Sequence, residues 1–287
     1  MDDDLYYLPE NAPETKYMPK NRPGEHDCPY IHKSGQRKLL ISEINFLTRY
    51  SHLADTILYV GAAPGTHLNV LIELFPNINK WIFYDPQPIK VNRDSHSAKV
   101  VVINKYFTEE NAAEYSDQNV LFISDIRSLP RNVDKPPPDV ADQAIIRDMK
   151  LQKDCVTNGK FLMSLLKFRM PWKGSDTTYF DGRLFIEPWS GEYSPELRLI
   201  TNGLNQKIYS HSKLDNQMYH YNRNVRPTIY QKLKDMNLKH HYRDQLIELE
   251  VVKSYLKNIR RIREDDESIR NFINAYCELM KPSPHLE

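Results

Sequence analysis

Residues 56–75 read TILYVGAAPGTHLNVLIELF. Thr56 to Gly61 form a short apolar run ending in glycine, the look of a strand buried in a parallel sheet. Ala62 to His67 supply a turn of small residues, and Leu68 to Phe75 suit a helix. Small residues let the backbone approach a ligand closely, and the start of a helix offers free N–H groups to it.

Outward from this unit the same alternation continues. Further strands are expected at 80–85, 99–107, 119–125, 159–170, 183–189 and 196–202, and helices at 109–115 and 140–157. Upstream, Ser34 can cap a helix running to about Tyr50, with Leu40, Ile44 and Leu47 on its buried face. Alternating strands and helices predict an α/β fold with a doubly wound sheet, whose site lies outside the carboxyl ends of its strands. Gly61, Asp85, Asp125 and Lys167 fall at such ends. Residues 127–139 form a Pro-rich loop. Residues 1–30 hold five prolines and read as an irregular arm. Residues 205–263 carry 13 Lys/Arg against 5 Asp/Glu and are expected to form two or three helices, the clearest from Tyr242 to Arg263. That basic segment reads equally as an RNA-backbone surface or as a solvated helical face.

The chain has 287 residues with 40% hydrophobic composition, enough for one large domain or a domain with appendages. A net charge of +1 gives no global field toward nucleic acid, so any RNA surface is local. Cys28, Cys155 and Cys277 lie far apart and form neither a disulfide framework nor a zinc site, which points to reduced thiols in a cytosolic-type compartment. HExxH, EF-hand and Walker patterns are missing, so no metal is expected. The opening MDDDLYYLPENAPET is acidic and unlike a signal peptide, and no apolar run approaches the ~20 residues of a membrane span.

Asp85 lies at the end of the strand after Gly61, where a carboxylate can accept from both hydroxyls of a ribose. The turn lacks GxGxxG, which favours a nucleoside without phosphates, such as S-adenosylmethionine, over a dinucleotide. The same residues also read as a tight turn with a capping aspartate, and pattern alone does not separate the two. Lys167 closes a strand otherwise made of Phe161, Leu162, Met163, Leu165 and Leu166. Desolvation and a neighbouring cation can tune such a lysine toward neutrality, so that it takes a proton from a hydroxyl. A lysine at a strand end also commonly reaches out to solvent. Spacing alone does not bring Lys38, Asp125, Lys167 and Glu196 together.

Six segments in order carry a resemblance: GQRKLLISEINFL (35–47), YVGAAPGTH (59–67), FISDIRS (122–128), LLKFRMPW (165–172), SPELRLI (194–200) and MYHYNRNVR (218–226). Across about residues 15–230 the chain resembles the poxvirus cap-specific mRNA 2′-O-methyltransferases, which also serve as poly(A) polymerase stimulatory subunits. The resemblance implies a Rossmann-like class I S-adenosylmethionine-dependent methyltransferase fold. It implies a catalytic tetrad at Lys38, Asp125, Lys167 and Glu196, with Lys167 as base. It implies cofactor contacts at Gln36, Tyr59, Gly61, Ala63, Gly65, His67, Asp85, Phe107, Asp125 and Ile126. Tyr17 and Trp172 are implied to stack on a 7-methylguanine cap, with Tyr30 a competitor for the first, and Asp215 to read its edge. The place of a second guanine-reading carboxylate falls at Gly174, which leaves Asp176, Asp181 or no residue at all for that role. Gln87 stands where the family has arginine. The implied partners are m7G-capped mRNA and the catalytic subunit of a viral poly(A) polymerase, in the host-cell cytoplasm and the virion. The implied layout is an irregular arm (1–30), a methyltransferase domain (31–230) and a C-terminal helical extension (231–287) packed on it.

Overall fold

A computed structural model of the chain describes residues 6–18, 35–128, 137–172, 176–191, 193–231, 245–263 and 265–280. In chain order these hold β1 (Tyr7–Leu8), α1 (Gly35–Tyr50), β2 (Thr56–Val60), α2 (Leu68–Leu74), β3 (Lys80–Tyr84), β4 (Lys99–Ile103), α3 (Glu109–Ala113), β5 (Val120–Ser124), α4 (Pro138–Gly159) and β6 (Met163–Phe168). There follow β7 (Thr177–Phe180), β8 (Arg183–Ile186), β9 (Leu197–Thr201), β10 (Gln206–Tyr209), α5 (His211–His220), α6 (Arg226–Gln231), α7 (Gln245–Tyr255) and α8 (Asp266–Leu279).

Eight strands form one sheet in the order β1-β8-β9-β6-β5-β2-β3-β4. From β4 across to β6 the neighbours are parallel, whereas β9 runs antiparallel to both β6 and β8. After β1 at one edge, the chain enters the middle at β2, steps outward to β3 and β4, then returns to β5 and β6 on the other side. This is a doubly wound, Rossmann-like α/β sheet. The strand order reverses between β2 and β5, which are parallel, and the crevice outside their carboxyl ends is where such sheets bind ligands.

All five residues of β2 and all five of β5 are buried, because helices cover both faces of the sheet. Leu40, Ile44 and Leu47 of α1 are fully enclosed, as the helical spacing predicts. Each contributes roughly 1.5–3 kcal/mol by leaving water. Ser42, Glu43 and Asn45 are buried as well. The periodicity of α1 does not show this, because α7 packs on the side that a surface helix would leave to solvent.

All seven expected strands are present. Three more were not legible. β1 lies in the arm expected to be irregular; Tyr7 and Leu8 pair with Phe185 and Leu184 of β8. β7 and β10 pair with each other as a separate antiparallel ribbon. β10 falls in the segment expected to be helical. Each is only two to four residues long, too short for alternation to register. Two boundaries also move. α4 extends to Gly159, so the strand expected from 159 begins at Met163. β4 ends at Ile103, which leaves Phe107 on a loop. Ser34 lies outside the described residues, as do most of the Pro-rich loop (129–136) and the start of the helix expected from Tyr242.

Candidate active site

Lys167 of β6 stands directly opposite Arg198 of β9 in the antiparallel register, so both side chains leave the same face. Two like charges so placed repel, and carboxylates gather around them. Asp125, just past β5, accepts from Lys167 Nζ at 2.9 Å and from Arg198 Nη1 at 2.7 Å. Glu196, just before β9, lies 3.4 Å from Lys167 Nζ, 3.8 Å from Lys38 Nζ and 3.7 Å from Arg198. Lys38 comes from the first turn of α1. Glu187, just past β8, takes Lys38 Nζ at 2.6 Å and Arg198 Nε at 2.5 Å. Arg127 reaches Glu196 from the rim at 3.6 Å.

The four residues that spacing left scattered are therefore one cluster. Their side chains keep between 15% and 21% of their surface, whereas Glu187 and Arg198 are sealed at 0% and 3%. Burial pushes the Asp125 carboxyl up, but Lys167 and Arg198 outweigh it and hold it well below the usual carboxylate range. Burial likewise opposes the charge of Glu196, and Lys167, Lys38 and Arg198 overcome it, so this carboxyl too is depressed. Glu187 and Arg198 were missed in sequence, although both left a trace. LFIEPW (184–189) is an apolar strand that ends on an acid. In ELRLI (196–200) the arginine shares a strand face with Glu196 by the two-residue period.

The turn after β2 abuts this cluster. Gly61 has φ +79°, and a Cβ there would sit 2.7 Å from the carbonyl carbon and oxygen of Asp125 and 2.9 Å from the Ile126 nitrogen. The carboxylate of Asp85 accepts from the backbone N–H groups of Ala63 at 3.0 Å and Gln87 at 2.8 Å. It thus caps the turn, and each oxygen keeps a further lone pair. Gln36 Oε1 accepts from Thr66 N at 3.0 Å and lies 3.0 Å from His67 Nδ1. His67 Nε2 lies 3.0 Å from Glu43, which also accepts from the Tyr59 hydroxyl at 2.7 Å. Burial pushes the Tyr59 phenol well up, with Glu43 adding to the effect.

Tyr59 and His67 are 1% and 0% exposed. Their side chains brace the turn through Gln36 and Glu43. Phe107 is also buried, edge-on to Tyr84 at 4.8 Å between ring centres. Gly65 has φ +70° and is buried, while Ala63 and Ile126 keep part of their surface.

Tyr17 and Trp172, 155 positions apart in the sequence, come together with ring centres 6.1 Å apart and tilted by 43°. Tyr17 is held by its backbone N–H to Asn216 Oδ1 at 2.8 Å, and Trp172 by its backbone N–H to Asp142 Oδ1 at 2.7 Å. Tyr219 packs edge-on against Tyr17 at 5.4 Å, and the Arg169 guanidinium lies 4.6 Å over Trp172. A base held between two rings needs them parallel and about 7 Å apart, twice the carbon contact distance. The rings must therefore part by about 1 Å and turn. Asp215 pairs with His211 at 3.2 Å; burial raises its carboxyl, and His211 and Arg169 pull the other way. Asp176 is exposed. Asp181 pairs with Lys207 at 2.9 Å and its carbonyl accepts from Thr201, at the end of β9 away from Glu196. Tyr30 and Gly174 lie outside the described residues.

Among known proteins, the chain is 28% identical over 307 aligned residues to a cap-specific mRNA (nucleoside-2′-O-)-methyltransferase of myxoma virus (strain Lausanne), covering 95% of this chain and 82% of that one. A protein of the same name from fowlpox virus (strain NVSL) is 27% identical over 238 residues, covering 72% and 73%. A chain of bluetongue virus VP4, whose structure is described as a multifunctional RNA-capping production line, aligns at TM-score 0.42 and 14% identity over 93% of this chain and 56% of that one. The model of the family described as poly A polymerase regulatory subunit matches residues 1–276, well beyond the 15–230 over which the motifs spread. The chain belongs to the poly A polymerase regulatory subunit family.

Proposed function

We propose that the chain methylates the ribose 2′-hydroxyl of the first transcribed nucleotide of m7G-capped mRNA. The observation that carries this reading is the placement of Lys167 between Asp125 and Glu196, beside the turn at Gly61. The residues fit S-adenosylmethionine. Gly61 lets the Asp125–Ile126 backbone close onto the turn, and Asp85 at the end of β3 keeps lone pairs for ribose hydroxyls. When bound, S-adenosylmethionine supplies the methyl group on a sulfonium leaving group. The protein's own work is to align the ribose oxygen and to manage one proton. Lys167, as its neutral amine, takes the proton from the 2′-oxygen and becomes the ammonium that Asp125 and Glu196 hold and aim, and Lys38 holds Glu196 from the far side. Tyr17 and Trp172 grip the electron-poor methylated base, and Asp215 accepts from the guanine edge. Arg127 and Arg169 add positive charge for the phosphates between cap and ribose.

Transfer of labelled methyl to short RNAs bearing an m7G cap, an unmethylated cap or a 5′-triphosphate tests this. The m7G-capped RNA is expected to be the preferred substrate, and equal labelling of all three would remove the cap-reading role. Trp172→Ala is expected to cost about tenfold in preference for the methylated cap, as loss of one base stack does, with cofactor affinity unchanged by calorimetry. Gly61→Ala is expected to do the reverse. Its positive φ and backbone clash cost about 1–3 kcal/mol, read as a lower thermal midpoint and weaker cofactor binding at unchanged cap preference.

The family description supports a second role beside the first, as a subunit that binds a poly(A) polymerase. In this reading the protein acts where capped viral transcripts are made, in the host-cell cytoplasm.

A further inference from the structure

We propose that Glu187 is a positioning residue of the methyl-transfer site, holding Lys38 and Arg198 so that Asp125 and Glu196 stay on Lys167. This rests on the function proposed above. Glu187 is completely enclosed, just past the last residue of β8. A buried carboxylate is costly to keep unless it is paired. Here each oxygen meets a different cation, Oε1 the Arg198 Nε at 2.5 Å and Oε2 the Lys38 Nζ at 2.6 Å. Its main chain is fixed as well: the Glu187 carbonyl accepts from Arg226 Nη2 at 2.9 Å and from Ser190 Oγ at 3.3 Å.

The distances show what the residue prevents. Without Glu187, the next carboxylate for Lys38 is Glu196 at 3.8 Å, and those for Arg198 are Asp125 at 2.7 Å and Glu196 at 3.7 Å. Asp125 and Glu196 are the two groups that aim Lys167. With Glu187 present, Lys38 and Arg198 each have a carboxylate that Lys167 does not use. Without it, Lys38, Lys167 and Arg198 compete for Asp125 and Glu196, and Lys167 loses its fixed direction. Glu187 has no exposed side-chain surface while Lys38 keeps 21%, so Glu187 acts through its neighbours and not on the substrate. Burial alone would lower the Lys38 ammonium, and Glu187 is the largest influence holding it above the usual value.

Glu187→Gln keeps the size and removes the charge. In the full chain, kcat on m7G-capped RNA is expected to fall about tenfold to a hundredfold, the range seen when a partner one step behind a reactive group is lost. KM for RNA and Kd for S-adenosylmethionine should stay within about threefold. Acetylation of Lys38 by succinimidyl acetate, followed against pH by peptide mass spectrometry, should move to lower pH, because the anion that favours its ammonium is gone. A residue that only fills space would leave that labelling curve in place. Wild-type kcat in Glu187→Gln overturns the proposal, as does a kcat loss with an unmoved curve. If Glu187→Gln does not fold, Glu187→Asp decides, since it keeps the charge one methylene further back. Reduced kcat with intact cofactor binding supports the role, and wild-type kcat refutes it. Should the wild-type protein fail to methylate capped RNA, the function proposed above fails and this proposal with it. Wild-type activity with an unaffected Glu187→Gln fails this proposal alone.

Discussion

Lys167→Ala is expected to slow methyl transfer by about a thousandfold, within the range a positioned general base contributes, while cofactor affinity and thermal midpoint stay close to wild type. Stability should hold because the carboxylates that lose Lys167 keep other cations. Asp125 retains Arg198 at 2.7 Å, and Glu196 retains Lys38, Arg127 and Arg198 within 3.8 Å. Lys167→Arg separates base from charge. Arginine preserves the positive charge but does not give up its proton in proteins, so the same loss is expected. Substantial activity in Lys167→Arg would mean that position 167 supplies charge alone.

Glu248→Ala is expected to destabilise the fold by about 3–5 kcal/mol, the usual cost of breaking a buried ion pair by removing one partner. Glu248 of α7 accepts from Arg37 Nε at 2.7 Å and Nη2 at 2.5 Å, and the Tyr276 hydroxyl of α8 donates to it. Glu248 is 0% exposed and Arg37 6%. The Arg37 guanidinium lies 4.9 Å over the Trp189 ring, which offers it a π face but no countercharge. Arg37 sits between Gln36, which holds the cofactor turn, and Lys38 of the cluster. Loss of Glu248 therefore also loosens the first turn of α1, and activity should fall with stability. Urea unfolding measures the first effect. The double variant Arg37→Met, Glu248→Leu is expected to recover most of it, because apolar groups can replace a buried pair at little net cost. A loss below about 1 kcal/mol in Glu248→Ala would show that α7 is held chiefly by its apolar residues.

The sheet was readable because its central strands are buried on both faces and so appear as apolar runs: TILYV, KWIFY and VLFIS each match an observed strand. Short edge elements were not. Tyr7–Leu8 becomes a strand only because β8 lies beside it. At the site, motif order gathered Lys38, Asp125, Lys167 and Glu196, and the geometry brings them within ion-pair distance of one another. Glu187 and Arg198 left only a faint trace, since an acid just past one apolar strand and an arginine within another look ordinary until the two, 11 positions apart, are seen to pair. The bonds of Tyr59 and His67 to Glu43, on the buried side of α1, were not legible either, because their place in the motif says nothing of what lies behind the turn.

The most direct test is the position of the transferred methyl. After incubation of m7G-capped RNA with the protein and S-adenosylmethionine, nuclease digestion and mass spectrometry should find one added methyl, on the 2′-oxygen of the first transcribed nucleotide, and none with Lys167→Ala. A methyl on a base, on internal riboses, or equally on the first ribose of 5′-triphosphate RNA would contradict a cap-directed ribose methyltransferase built around Lys167.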